Sequence, residues 1–359
     1  MLKRLSIVLL AITWIGVLSS TAGAELLERA DYGFTQLVDT EGREVFLTGL
    51  IVAVGDWFIT EDNKEYRVIR IDGDRAVVEF VREVDLGAAA RLTLPARRDR
   101  AGAPWWQRFF AWTRLARLVQ GEQPPANVAI YHTHSDESYE PTDGTPSIQG
   151  NGGIFRVGRA LAEQLIDLGL NVNHDTTSHD PHDANAYNRS RRTLQDVLQG
   201  HPDLVLDVHR DTTPAHAYQR QVAGQTVTQV MLVVGRQNPK RPQTDALAKT
   251  IKAVVDKKFP GLIRGIFYAK GNYNQDLTDR LILIEVGSHK NRREYAEAGV
   301  RLFAQAIPDI VAAIGGPEGT VNRTAGSRTW IWLVLLVLAG GFGYLAVSTG
   351  SWQEAMAKL

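Results

Sequence analysis

Apolar and polar positions divide the chain into stretches of different period. Between residues 25 and 94 the apolar runs are short and strand-like. Glu44-Val45-Phe46-Leu47-Thr48 and Arg75-Ala76-Val77-Val78-Glu79-Phe80-Val81 are set apart by Gly42, Gly49, Gly55 and the turn Asp72-Gly73-Asp74. This pattern predicts a small β-rich domain over 25–94 with a recognition or spacing role. From 127 to 315, short apolar runs alternate with helical periods, the signature of an α/β domain. Strands are expected at 128–131, 170–172, 204–208, 230–234 and 281–286. Helices are expected at 157–168, 188–198, 244–258 and 292–314.

The two ends have another character. In residues 1–24, Lys3 and Arg4 precede an apolar run from Leu5 to Leu18 and then Ala22-Gly23-Ala24, the layout of a cleavable secretory signal. Residues 330–347 carry no charge and are just long enough for a transmembrane helix. Trp330, Trp332 and Tyr344 stand where interfacial aromatics belong. The expectation is a single-pass cell-membrane protein with its catalytic domain outside the cytoplasm, a tether at 316–329 and a short tail at 348–359. Arg323 and Arg328 before the span run against the positive-inside bias, and the signal peptide decides the orientation. The linker at 95–126 interleaves Trp105, Trp106, Phe109, Phe110 and Trp112 with Arg108, Arg114 and Arg117. Such a segment suits a membrane interface or packing against a flanking domain, and its pattern leaves both open.

Composition narrows the chemistry. The chain has 359 residues, 44% of them hydrophobic, enough for about two domains with a proper core. Lys plus Arg balance Asp plus Glu, 40 against 40, so bulk charge gives no reason to expect nucleic acid as a partner. There is no cysteine, so a transition metal would be held by His, Asp and Glu.

Three expected strands run straight into chemically capable residues. The first leads to His132-Thr133-His134-Ser135-Asp136-Glu137, another to His209-Arg210-Asp211, and the last carries Glu285-Val286-Gly287-Ser288. Ligands of open α/β sheets collect outside the carboxyl ends of the strands, so these stretches bring histidines and carboxylates to one edge. A hydrolytic zinc centre needs three protein ligands, an open position for water and a carboxylate base. A single histidine after a buried strand is more often structural. Glu285 inside an apolar strand is harder to explain that way, because a buried carboxylate without a partner is costly. A further group, His174, His179 and His182 with Asp175, Asp180 and Asp183, reads as a polar loop lining the cleft.

Ile130-Tyr131-His132-Thr133-His134 with Glu137-Ser138-Tyr139 resembles the opening motif of the stage II sporulation protein P family. Arg156-Val157-Gly158, His174-Asp175-Thr176-Thr177, Tyr187-Asn188-Arg189-Ser190-Arg191, Asp207-Val208-His209-Arg210-Asp211, Asn274-Gln275-Asp276-Leu277 and Ile284-Glu285-Val286-Gly287 continue the series in order. That family is similar to the zinc-dependent N-acetylmuramoyl-L-alanine amidases. The resemblance implies a mixed-sheet, three-layer catalytic domain, Zn2+ as cofactor, peptidoglycan as partner and an activating cell-wall protein. By the same resemblance His134 and His209 are metal ligands and Glu285 is the late glutamate. Where the amidases place a glutamate at the start of the first helix, this chain has Ile154-Phe155-Arg156, and Glu137 is the replacement, with Glu140 and Asp136 behind it. His132 then supports the ligand shell. Asp207 or Asp211 orients a ligand histidine and Arg210 stabilises the oxyanion, while Arg189, Arg191 and Arg192 either meet substrate carboxylates or form a solvated helix face. The activity implied is cleavage of the amide between muramic acid and L-alanine. The alternatives are an endopeptidase on the same fold and a non-catalytic wall-binding scaffold.

Overall fold

The computed structural model describes residues 27–29, 31–89 and 125–315. Five strands come first: β1 Thr35–Val38, β2 Glu44–Thr48, β3 Trp57–Thr60, β4 Lys64–Asp72 and β5 Arg75–Glu83, then one helical turn, α1 Leu86–Ala89. The family-like region follows with β6 Asn127–Tyr131, α2 Glu140–Asp143, α3 Ile154–Asp167, β7 Asn171–His174, α4 Ala186–Leu198 and β8 Leu204–Asp211. It continues through β9 Gln219–Val222, β10 Gln225–Thr228, β11 Val230–Gly235, α5 Arg241–Lys258, β12 Ile263–Ala269, β13 Leu281–Ser288 and α6 Arg293–Ile314.

Eleven strands form one mixed sheet in the order β2-β1-β5-β4-β3-β12-β11-β13-β8-β6-β7. β7, β6, β8 and β13 are mutually parallel, and β11 reverses against β13. β12 runs parallel to β11 and takes β3 antiparallel on its other side, which makes the N-terminal strands a continuation of the same sheet. β8 and β13 are buried at every position, as near-continuous apolar runs in the centre of a two-sided sheet must be. The two-residue period then sorts their side chains. Leu204, Leu206, Val208, Ile282, Ile284 and Val286 pack in the core with α3, α5 and α6. Val205, Leu281 and Leu283 lie on the opposite side, in cores shared with α4 or with the N-terminal strands. Asp207, His209 and Glu285 share the parity of that second side, and so are carried there with it.

The apolar pattern does not mark every element. Arg264 and Gly265 interrupt the apolar run of β12. In the fold the Arg264 guanidinium is satisfied by the carbonyls of Ala217 (2.8 Å) and Leu47 (2.7 Å) and lies over the rings of Phe46 and Tyr218. The β9–β10 hairpin is likewise unmarked, because its residues are mostly polar.

Membrane location needs correction. No helix among the described residues is long and apolar enough to cross a bilayer, which overturns the expected single-pass membrane localisation. The helices are amphipathic for packing: α6 buries Val300, Phe303, Ile307 and Ile310 on one stripe while Arg293, Glu294, Glu297, Arg301 and Asp309 are distributed over the rest. The leader at 1–24, the aromatic part of the linker and the segment 330–347 lie outside the described residues.

Gly299 shows how tightly α6 sits on the sheet. A Cβ there would lie 2.3 Å from the Thr228 carbonyl oxygen at the end of β10. Glycine to alanine in a helix interior ordinarily gains about 1 kcal/mol. Here the backbone overlap reverses the sign, and Gly299→Ala is expected to destabilise the protein by about 1–3 kcal/mol. A denaturant midpoint that rises in this variant would show that α6 can shift freely.

Candidate metal centre

The loop after β6 is folded back on itself by main-chain bonds. Gly152 N donates to Ser135 O, Ile148 N to Asp136 O and Ile154 N to Glu137 O, each at 2.8–2.9 Å. Gly152 is required by this closeness, since a Cβ would fall 2.4 Å from Glu137 O. The loop therefore turns His134 and Glu137 inward over the carboxyl end of β8. Glu137 Oε2 accepts from Arg210 N at 2.9 Å, and its Oε1 lies 3.8 Å from His209 Nδ1. Glu285 is the register partner of His209 on the adjacent strand. His134, Glu137, His209, Arg210 and Glu285 are all at least 96% buried.

Asp207 fixes His209. Its carboxylate accepts from Thr133 N (2.9 Å) and Thr133 Oγ1 (2.6 Å), and stands 3.0 Å from His209 Nε2. With Nε2 turned to Asp207, His209 directs Nδ1 toward the glutamates, the arrangement in which a carboxylate orients a metal-binding imidazole. Burial alone would lower the His209 pKa, but the charges of Asp207, Glu137 and Glu28 outweigh it and hold the imidazole well above its usual value. Glu285 moves the other way for a carboxyl. Burial raises its pKa well above the usual range, and the negative charges of Glu28 and Asp211 add to the effect.

The expected residues are thus brought together, with an addition from outside the family-like region. Glu28, far away in sequence, places Oε1 3.5 Å from His134 Nε2 and 3.7 Å from His209 Nδ1. Glu28, His134 and His209 each offer one donor atom within 4.8 Å of the others, and so do Glu28, Glu137 and His182. Sequence offered no route to Glu28, which stands in Leu27-Glu28-Arg29 without a motif. The sequence pattern puts His182 in a cleft-lining loop. In the fold it stacks on His134, ring centroids 3.7 Å apart, with Nδ1 3.1 Å from Asp136. The other two histidines of its group serve elsewhere. His174 Nε2 meets His132 Nε2 at 2.9 Å, and His179 bridges His132 O and Thr193 Oγ1.

Other expected roles are redistributed. His132 is two steps from the centre, its Nδ1 on Val208 O. Asp211 turns to Gly49 N, Thr212 N and the Tyr218 hydroxyl instead of a histidine. Glu140 is exposed and paired with Lys290. Arg191 is held by Asp276 and Arg189 by Asp183 and two carbonyls, while Arg192 is exposed. Arg210 reaches the carbonyls of Ser138 and Pro146 and lies 3.6 Å from Glu137 Oε1.

The donor set fits a cation. Glu137 Oε1 and His209 Nδ1, 3.8 Å apart, and Glu285 Oε2 on the neighbouring strand are buried side-chain atoms without a hydrogen-bond partner, and His134 turns its Nε2 to within 3.5 Å of Glu28 Oε1 in the same cluster. Buried polar atoms are normally satisfied, and such neighbouring orphans need a partner. Imidazole and carboxylate donors without thiolate suit zinc or a neighbouring divalent metal. A concavity of about 950 Å³ opens elsewhere, lined by Glu61, His216, Arg220 and Arg264 among others, and contains none of these groups.

A mixed α/β sheet with buried histidines and glutamates at the carboxyl edge of its parallel strands defines the class: an α/β protein with a candidate metal centre. Stage II sporulation protein P (SpoIIP) is the family whose model matches residues 89–308, and the chain belongs to that family. Stage II sporulation protein P of Bacillus subtilis (strain 168) is 28% identical over 219 residues, which cover 55% of this chain and 53% of that protein. The match therefore spans about half the length of that relative. Among solved structures, an N-acetylmuramoyl-L-alanine amidase from Clostridium difficile 630 is similar over 52% of this chain and 97% of its own, at 14% identity and a TM-score of 0.33. The CwlD amidase from Clostridioides difficile, solved in complex with the GerS lipoprotein, is similar over 52% and 98%, at 14% identity and a TM-score of 0.35.

Proposed function

We propose that this chain is a peptidoglycan hydrolase that cleaves the amide between N-acetylmuramic acid and the L-alanine of the stem peptide. The observation that carries the reading is the buried group of Glu28, His134 and His209, each with a donor atom within 4.8 Å of the others, beside Glu137 and Glu285, in a chain of the stage II sporulation protein P family. His134 and His209 would hold Zn2+, with Glu137 or Glu28 as the carboxylate ligand. When bound, zinc supplies a water of lowered pKa and polarises the scissile carbonyl.

The protein's own groups do the rest. Glu285 accepts the proton of the attacking water and returns it to the leaving nitrogen. Burial beside other carboxylates raises its pKa, and a cation among them would favour the ionised form that a base requires. Arg210 adds positive charge near the developing oxyanion, from a guanidinium held by two carbonyls. Asp207 keeps the His209 imidazole in the tautomer and orientation that present Nδ1.

Digestion of purified peptidoglycan by the full chain, with and without a chelator, tests the reading. Stem peptides beginning at L-alanine, lost on chelation, are expected. Shortened stem peptides would move the activity to an endopeptidase, and wall binding without release of fragments would leave a scaffold. The same reading includes an activating protein partner. Asp207→Asn, which keeps the side-chain size but loses the negative charge 3.0 Å from His209 Nε2 and one of the two oxygens that accept from Thr133, is expected to weaken zinc affinity about 10–100-fold in a chelator competition. Unchanged affinity would remove Asp207 from the centre.

A further inference from the structure

The concavity of about 950 Å³ that stands apart from the metal centre runs along β2. Glu44, Val45, Phe46 and Leu47 line it in succession, together with Glu61 and Asn63 at the β3–β4 turn. β2 is the last strand of the sheet and is paired with β1 alone, and Arg264 Nη2 meets it at Leu47 O (2.7 Å). A strand edge of this kind is a template for another extended chain. The volume lies in the range of ligand pockets.

The arginines around the concavity are already engaged. Arg43 is paired with Asp39 (2.7 Å) and Glu41 (2.9 Å), and Arg220 with Glu61 (3.2 Å). The Arg264 guanidinium is taken by two carbonyls and two rings. What is left over is acceptors. Gln229 is fully buried, and its amide nitrogen donates to Glu61 Oε2 (2.9 Å) and Gly261 O (2.8 Å). Both partners are acceptors, so the amide orientation is fixed, and its oxygen has no hydrogen-bond partner. Asn63 Oδ1 is a second buried acceptor without one. Glu44, exposed on β2, accepts from Gln36 Nε2 (2.9 Å) and has no ion pair among the described residues. Such a set calls for donors. Peptide N–H groups and an amine fit it, whereas a phosphate or another carboxylate does not.

The concavity also adjoins the candidate metal centre. Met231 on β11 is the register partner of both Glu285 on β13 and Gly265 on β12, so Arg264 and Glu285 lie at the same end of the sheet. Tyr218, whose ring lies under the Arg264 guanidinium, donates its hydroxyl to Asp211 at 2.7 Å, two residues beyond His209.

We propose that this concavity is a binding subsite for wall peptide, in which an extended stem peptide lies along β2 as an added strand and sets its side-chain amine among Glu44, Glu61 and the Gln229 amide oxygen. The proposal deepens the hydrolase reading, from which the wall peptide is taken. A subsite beside the centre selects glycan that carries peptides over bare glycan.

Isothermal titration of the full chain with a soluble stem peptide containing a diamino acid tests it, in the presence of a chelator so that no metal contributes. Wild type is expected to bind. The double variant Glu44→Lys/Glu61→Lys is expected to bind about tenfold or more weakly, because it sets like charges against the amine. Acetylation of the peptide's side-chain amine is expected to weaken wild-type binding by a similar factor, and KM on peptidoglycan rises likewise in the double variant. Glu79→Lys, on the exposed part of β5, is the control that keeps wild-type affinity. If the double variant lacks a cooperative melt, the acetylated peptide decides. A wild type that does not bind the peptide, or binds the acetylated form equally well, would overturn the subsite. Peptide binding by a chain that releases no wall fragments would keep the subsite and sink the hydrolase reading, so the two fail separately.

Discussion

Glu285→Gln is expected to lower peptidoglycan hydrolysis by about 10²–10⁴-fold while leaving zinc binding in place. The substitution changes almost nothing but the ability to accept a proton. Glu285 is 1% exposed, and its Oε2 has no hydrogen-bond partner, so the amide takes the same space. Its carboxyl is raised by burial and by the neighbouring charges of Glu28 and Asp211. Removing one of several crowded carboxyls relieves that repulsion, and the metal-free variant is expected to be no less stable than the wild type. Loss of turnover with retained zinc and an unchanged melt therefore isolates proton transfer. Released stem peptides at a rate within a few-fold of wild type would sink Glu285 as the base and point to another carboxyl of the cluster.

His209→Ala is expected to do more damage, and to the fold as well as the site. The imidazole is fully buried between Asp207 at 3.0 Å, Glu28 at 3.7 Å and Glu137 at 3.8 Å. Those carboxylates hold it well above its usual pKa against the opposing effect of burial. Without it, buried acids lose a common counter-charge, a change that typically costs about 3–5 kcal/mol. Zinc uptake and hydrolysis are expected to disappear with it. Denaturant unfolding in the presence of a chelator separates the structural loss from the loss of the metal. A variant as stable as wild type under those conditions would show that the carboxylates are neutral before metal binds.

The placement of the core site was legible because it depends on local rules. The apolar runs at 128–131, 204–208 and 281–286 had to be central strands, and their carboxyl ends carried His134, Glu137 and His209 to one edge. Glu285 was recognisable as an anomaly, a charge in a run that must be buried. Residue type alone does not name a partner. Arg189 and Arg191 suit substrate carboxylates or a solvated face equally, and internal acids and carbonyls take them. His174, His179 and His182 stand close in sequence and meet three different neighbours.

By itself, then, the order of residues determined the α/β alternation, the parallel strands that end at the site, the absence of thiolate chemistry and membership of a family. Periodicity and strand-end position act over a few residues, so they can be read along the chain. The tertiary structure alone decided that β3 joins β12 and makes the N-terminal strands part of the same sheet, and that Glu28 meets His134 and His209. Those contacts are set by main-chain pairing between segments far apart in sequence, where no local period marks one partner for the other. For the same reason the burial of the centre emerges only when the sheet has closed around it.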